Sequence, residues 1–296
     1  EDGKSHRIEI MDNEGKKIVQ TINFPHSVSY IYPMNSSKVI IVGKAYTDQW
    51  YTYYSTVNIS GGRYGVKTKR ITPVFQINEF AEINGRKYFS EPGSRSVLIE
   101  EGSRIRSLPF EISFPSELLE LNGNLWLLEK RGGGPGDEDL VRIDLKNNTI
   151  SRLGNIRRNF GPFNLSKLSD GRLAMDDRIG GKFIVFDPRT EEIVDTVSLN
   201  HTPMSLKIYK NCAILPGGED KKISVVRIND KNSNVVATFD LSGIEGEFYN
   251  SIRTAVNADK GILFVKSMAP CVVCAESRSA VYAINTPNLD WKTTCK

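Results

Sequence analysis

The sequence predicts an all-β fold, a β-propeller of four-stranded blades, on three observations. A strand–turn–strand sentence recurs at near-constant spacing, Asn-Gly and Asp-Gly turns separate paired apolar strands, and no window carries the 3.6-residue rhythm of a helix. The clearest copy is Lys182-Phe-Ile-Val-Phe-Asp187, a turn at Pro188-Arg-Thr-Glu191, and Ile193-Val-Asp-Thr-Val-Ser-Leu199. The same sentence returns at Arg7–Asp12 with Lys17–Ile22, at Asp139–Asp144 with Thr149–Leu153, and at Lys222–Ile228 with Asn234–Phe239. Looser copies begin near Ser55, Ser96 and Ser279, which gives a spacing of about 40 to 57 residues, around the blade period of propellers.

A second, more apolar pair of strands lies between successive hairpins. Ser116–Leu121 turns at Asn122-Gly123 into Asn124–Leu128, and Asn164–Leu168 turns at Asp170-Gly171 into Arg172–Met175. Such dipeptides supply the positive φ angles that a two-residue hairpin demands. Seven outer hairpins stand against six inner pairs. Either seven blades form with one incomplete, or six form with an extra terminal hairpin; the outer hairpins favour seven. One propeller domain over residues 1–296 accommodates the whole chain.

The phrase Phe186-Asp187-Pro-Arg-Thr190, Ile193-Val-Asp-Thr-Val197, Thr202-Pro203 resembles the blade repeat of the YVTN/YncE-like propeller family. The likeness is best in residues 182–228 and partial in the blades starting near 7 and 139. It implies a propeller, usually exported, from a family of varied roles.

Charge and cysteines narrow the function class. The 39 basic and 35 acidic residues leave +4, and Lys67-Thr68-Lys69-Arg70 reads as a blunted strand edge, so no nucleic-acid footprint is expected. Apolar runs such as Val39-Ile40-Ile41-Val42 are strand-sized, so no membrane span is expected, and a monomer is. The start at Glu1 without Met suggests a removed signal peptide and a secreted or periplasmic location. For Cys271-Val-Val-Cys274 and Cys295 the readings are a structural disulfide from Cys295 to Cys271 or Cys274, free thiols, or metal or redox chemistry. Cys212, inside Cys212-Ala-Ile-Leu215, reads as a buried thiol.

Aligning the inner pairs on their turns places Ser29, Asn78, Ser116, Asn164, Ser205 and Asn250 in one ring at the mouth of the central channel, where loops on a rigid scaffold carry function. Glu79 and Glu117 each follow a ring member. With Asn164 and Asn250 they offer oxygen ligands suited to Ca²⁺, or they point between blades, since neighbouring strand residues face opposite ways. The Glu/Asn/Asn set is similar to that of calcium-dependent lactonases of the gluconolactonase and paraoxonase kind. Arg131-Gly-Gly-Gly-Pro-Gly-Asp-Glu-Asp139 reads as a mobile connection between the second and third strands of a blade, or as a partner-binding loop whose three consecutive acids hold a cation or meet a basic partner. The aromatic Trp50-Tyr51-Thr-Tyr53-Tyr54, placed in a connection between strands, reads as filling gaps between blades or, if exposed, as interface anchors or a sugar-stacking platform. Sequons at Asn35, Asn58, Asn147, Asn164 and Asn200 permit glycosylation in a eukaryotic secretory route. No catalytic motif is present; no Gly-x-Ser-x-Gly and no His-Glu-x-x-His occurs. The expected function is a binding or interaction scaffold for a protein or small molecule. The alternative is a calcium-dependent lactonase-type hydrolase, and fold analogy alone adds a dehydrogenase-associated subunit.

Overall fold

A computed structural model describes residues 6–296 apart from 12–16, 29, 36, 47–49, 61–62, 72–76, 78, 103, 132–137, 154–161, 244–252 and 269–278. The chain divides into two compact units, Glu1–Ser116 and Glu117–Lys296. Strands follow chain order within every sheet, and every described register is antiparallel.

The first unit holds the hairpin β1 (His6–Met11) and β2 (Ile18–Phe24), then a sheet of β3 (Tyr30–Asn35), β4 (Lys38–Tyr46), β5 (Trp50–Ser60) and β6 (Arg63–Ile71). A second sheet follows, of β7 (Glu79–Ile83), β8 (Arg86–Glu91), β9 (Ser96–Glu101) and β10 (Arg104–Ser107). Strand β11 (Pro115–Leu121) begins at the unit boundary and joins β12 (Asn124–Lys130), β13 (Glu138–Asp144) and β14 (Thr149–Leu153). Next come β15 (Pro162–Lys167), β16 (Leu173–Asp177), β17 (Lys182–Asp187) and β18 (Glu192–Ser198). The fifth four-stranded sheet is β19 (Lys207–Tyr209), β20 (Cys212–Pro216), β21 (Lys222–Arg227) and β22 (Asn234–Asp240). The last sheet has three strands, β23 (Arg253–Asn257), β24 (Ile262–Met268) and β25 (Ser279–Asn285), and the short helix α1 (Trp291–Thr294) follows it.

These are the blades of a β-propeller, and among the described residues there are six of them, not the seven that the outer hairpins favoured. The six inner pairs give the correct count. The N-terminal hairpin β1–β2 has no inner pair and stands as a two-stranded sheet, while β25 leads into α1 where a fourth strand would begin. The aromatic run Trp50–Tyr54 is also corrected: it opens strand β5 rather than lying in a connection. Alternation along a pleated strand sends Tyr54 into the space between the first two blades, 5.8 Å from the Phe89 ring.

Middle strands are apolar along both faces because each is covered on both sides. All five residues of β20 and of β16 are buried, and Phe183, Ile184, Val185 and Phe186 of β17 have no exposed surface. Successive faces interlock as Trp126, Leu128, Met175 and Phe186 between the third and fourth blades, and as Phe183, Val185, Ala213 and Leu215 between the fourth and fifth. Each such side chain contributes about 2–3 kcal/mol by leaving water.

One turn chemistry recurs. Asp144, Asp177 and Asp187 accept hydrogen bonds from the backbone N–H two residues on, and Glu91 does the same for Gly93. Four residues after each, the chain takes positive φ, at Asn148, Gly181, Glu191 and Arg95. The Asp of the Asp187-Pro-Arg-Thr phrase is therefore a turn former, an Asx-type cap over a turn that ends in a left-handed residue.

Buried polar groups hold neighbouring blades. Between the first two, Glu100 is 8% exposed and accepts from Tyr54 Oη at 2.9 Å, from Lys87 Nζ at 3.0 Å and from Lys69. Burial alone would raise its carboxyl, but the hydrogen bonds from Lys69, Lys87 and Tyr54 outweigh that and hold it below the usual carboxylate value. Burial and then the contact with Glu100 push the Tyr54 hydroxyl up.

Two histidines play matching parts in the first and fifth blades. His26 Nδ1 donates to the Ser27 carbonyl at 2.6 Å, so Nε2 accepts from Ser55 Oγ at 2.7 Å, which in turn meets Thr68 Oγ1 at 2.7 Å. His201 Nε2 donates to the Leu215 carbonyl at 2.9 Å, leaving Nδ1 to accept from Ser224 Oγ at 3.4 Å, and Ser224 meets Thr238 at 3.5 Å. A glycine backs each ring. A Cβ at Gly43 would collide with the Ser27 carbonyl and reach 2.8 Å from His26 Nδ1, and one at Gly217 would lie 2.5 Å from His201 Cδ2.

The cysteine expectations are corrected here. Cys295 is bonded to Cys212, with Cα atoms 5.2 Å apart, so Cys212 is no free thiol and Cys295 does not pair with Cys271 or Cys274. Register decides it: Cys212 opens β20 where the C-terminal segment packs, beside buried Trp291. Cys271 and Cys274 lie outside the described residues.

Replacing Glu100 with Ala leaves two lysines and a tyrosine without their acceptor, and thermal or urea unfolding should show a loss of about 2 kcal/mol. Burial lowers both histidine pKa values, although their carbonyl hydrogen bonds oppose it. An unfolded chain protonates at 6.5 while the folded rings stay neutral, so stability is full above pH 6.5 and falls as the pH drops toward the lowered folded values. Melting temperatures measured from pH 7.5 to 5 should fall steeply in the wild type and more shallowly in a His26→Gln/His201→Gln variant.

Candidate functional site

The sequence placed function at the ends where chains lead into the first strand of each blade. In the second unit this end is built from the start of β15, the end of β16, the β12–β13 ends and the segment before β19. A bulge between Pro162 and Leu165 breaks the β15–β16 register, which leaves Asn164 without a ladder partner. Asp176 takes over: its carboxylate accepts the Asn164 backbone N–H at 2.6 Å and the side-chain Nδ2 at 2.6 Å. Both residues are buried, Asp176 completely. The expected ring member Asn164 is thus fixed by an internal acid, and its sequon is closed to modification in the folded chain.

Around this pair lies a buried set of charges. Arg178, on the β16–β17 turn, directs Nη2 at the Met204 sulfur at 2.9 Å, and burial lowers its guanidinium pKa against the opposing pull of Asp176 and Glu138. Glu129 is 2% exposed and accepts from Arg152 at 2.6 Å and Arg131 at 3.3 Å; Arg131 also pairs with Asp139 at 2.9 Å. Glu138 is 5% exposed and 3.9 Å from Lys130. Glu138 and Asp139, two of the three consecutive acids expected to meet a cation or a basic partner, are folded inward instead.

The other expected residues distribute as follows. Ser205 is buried. Ser116 and Glu117 are half-buried on β11, where Glu117 has positive φ, and Glu79 is half-buried on β7 with its N–H donated to Ser90 Oγ at 2.9 Å. Glu79 belongs to the first unit, whereas Glu117 and Asn164 belong to the second. Ser29, Asn78 and Asn250 lie outside the described residues. Among the described residues no three His, Cys, Asp or Glu side chains are grouped to hold a metal ion.

Capped turns in each unit carry two features that patterning did not single out. Asp177 Oδ1 accepts the N–H groups of Ile179 and Gly180, each at 3.0 Å, so a rigid turn holds Ile179 out at 61% exposure. In the first unit the Glu91-capped turn carries Arg95, whose guanidinium lies 5.7 Å from the ring of Phe114, itself 49% exposed. The signal for both was legible as an acid followed four residues later by a left-handed position.

A serine against a histidine at 2.7 Å, as in Ser55–His26, has the spacing of a nucleophile and its base. Ser55 has no exposed surface, so the pair is structural. At the opposite end of the second unit's sheets a cleft of about 190 Å³ lies among the β15–β16, β19–β20 and β21–β22 turns, lined by Arg172, Lys210, Asn211 and Ile228 among others. Hydrogen bonds from Arg172 hold the Asp170 carboxyl below its usual value although its burial opposes this.

No family model matches the sequence, and no curated protein does. Solved structures with a similar fold include a streptogramin B lyase, 14% identical over 96% of this chain and 88% of that one, with a TM-score of 0.58. The nidogen/laminin complex gives 12% identity over 80% of this chain and 90% of that one, at 0.56, and the mitotic checkpoint complex 9% over 88% and 78%, at 0.61. At such identities the likeness establishes the β-propeller fold, and the resemblance of residues 182–228 to the YVTN/YncE-like family stands at that level.

Proposed function

We propose that the chain is an exported β-propeller that binds a protein partner through the turn between β16 and β17. The observation that carries this reading is Ile179, an apolar side chain 61% exposed on a turn made rigid by two hydrogen bonds to Asp177. A preorganised apolar anchor matches the chemistry of interface hot spots, and rigidity lowers the ordering cost of binding. Arg95 with Phe114 repeats the pattern. Propellers of the same fold occur in the nidogen/laminin and mitotic checkpoint complexes, which supports a binding role. Export is supported by the Cys212–Cys295 bond, because disulfides persist in oxidising compartments.

The expected calcium hydrolase has less behind it, since Asn164 is engaged by Asp176. Affinity capture from the native extracellular or periplasmic fraction should recover a specific protein with wild type and lose it about tenfold or more with Ile179→Asp, at unchanged melting temperature. Equal capture by both would remove the reading. A calcium-induced rise in melting temperature that disappears in Glu117→Gln would favour the hydrolase instead.

A further inference from the structure

The segment after β25 has a different construction from the sheets it covers. Thr286 donates its N–H and its hydroxyl to the Gly261 carbonyl, each at 2.8 Å, and Asp290 then caps α1 through the N–H groups of Lys292 and Thr293. Trp291 is 1% exposed, donates Nε1–H to Thr286 Oγ1 at 2.8 Å and meets the Tyr209 ring edge-on at 6.0 Å. It fills a cluster with Ile214, Ile223, Val225 and Leu263. Asn211 closes the far end, its N–H to the Cys295 carbonyl at 3.4 Å and its side-chain amide to the Lys296 carbonyl. The Cys212–Cys295 bond fixes this end to β20 across 83 residues of sequence.

We propose that residues 286–296 form a redox-controlled latch, released from the β19–β22 and β23–β25 sheets when a dithiol reduces Cys212–Cys295, while those sheets stay folded. A helix of four residues has no stability of its own, and side-chain packing on the sheets replaces the strand ladder that would bind a fourth strand. Segments held by packing and a cross-link rather than by a strand ladder open at free energies well below that of the whole fold. Both cysteines have no exposed surface, so a thiolate gains access during such an opening. It attacks one sulfur to give a mixed disulfide, and the second thiol of the reductant displaces the other. Two electrons pass from the dithiol to the protein, and the two cysteine thiolates take up protons. Release also removes the acceptors of the Asn211 N–H and side-chain amide, while its carbonyl keeps the Ile228 N–H. Asn211 lines the cleft with Arg172 and Lys210, so the redox state acts on one wall of that cleft.

Amide exchange of the full chain with and without dithiothreitol tests this. Reduction should speed exchange across 286–296 on the order of 100-fold, the loss of cross-link restraint, while β20–β22 keep their protection and both cysteines become alkylated. Cys295→Ser without reductant should reproduce the same map; if it does not fold, the reduced wild type decides. Alkylation of Cys212 and Cys295 only when β20–β22 lose protection, or unchanged exchange in 286–296 after reduction, would overturn the latch.

Discussion

The burial of the middle strands on both of their faces is the constraint from which the rest of this structure follows. A sheet covered on one side could alternate polar and apolar residues, but Leu173–Met175 of β16, Phe183–Phe186 of β17 and all of β20 are packed from both sides and run apolar without alternation. Such strands leave no room for charge along their length. Polar groups therefore gather at strand ends, where turns break the ladder, and there they must be satisfied inside the protein. The Asx-capped turns, the two histidine relays and the Asn164–Asp176 clasp are three solutions to that demand. Glu100, next to the last residue of β9, is satisfied by two lysines and a tyrosine, as Glu129, next to the last residue of β12, is by Arg131 and Arg152.

Much of the fold was legible because the same demand writes a short vocabulary. Lys182–Asp187 and Thr149–Leu153 agree with the observed strands to the residue, and Asn122-Gly123 and Asn84-Gly85 turn with positive φ as their composition requires. Blade count was misread because β1–β2 carries an outer-hairpin rhythm without an inner pair, and a pattern cannot show a missing partner. The Cys212–Cys295 bond was hidden for a related reason. Its partners are far apart in sequence, whereas Cys271 and Cys274 are close, and spacing alone favours the near pair.

The candidate site was legible as a place and not as a chemistry. Alignment found Asn164 and Ser205 at one strand end, but whether an amide faces a ligand or an internal carboxylate depends on a bulge that no residue type announces. Glu138 and Asp139 show the same limit: three acids in a row read as a displayed patch, while pairing with Lys130 and Arg131 turns two of them inward.

Under the proposed binding role, specificity comes from what the internal accounting leaves over. Along the strand ends the carboxylates are used as caps and clasps, and the two relay serines serve their histidines, so polar residues near a mouth are weak pointers to catalysis in this fold. What the same caps create is rigid backbone. A turn tied by Asp177 fixes the direction of Ile179, and one tied by Glu91 fixes Arg95 above Phe114. Two neighbouring buried acids at the end of β16 thus divide the work, Asp176 removing Asn164 as a potential ligand and Asp177 aiming the exposed Ile179, and this coupling is what the proposed recognition by turns would use.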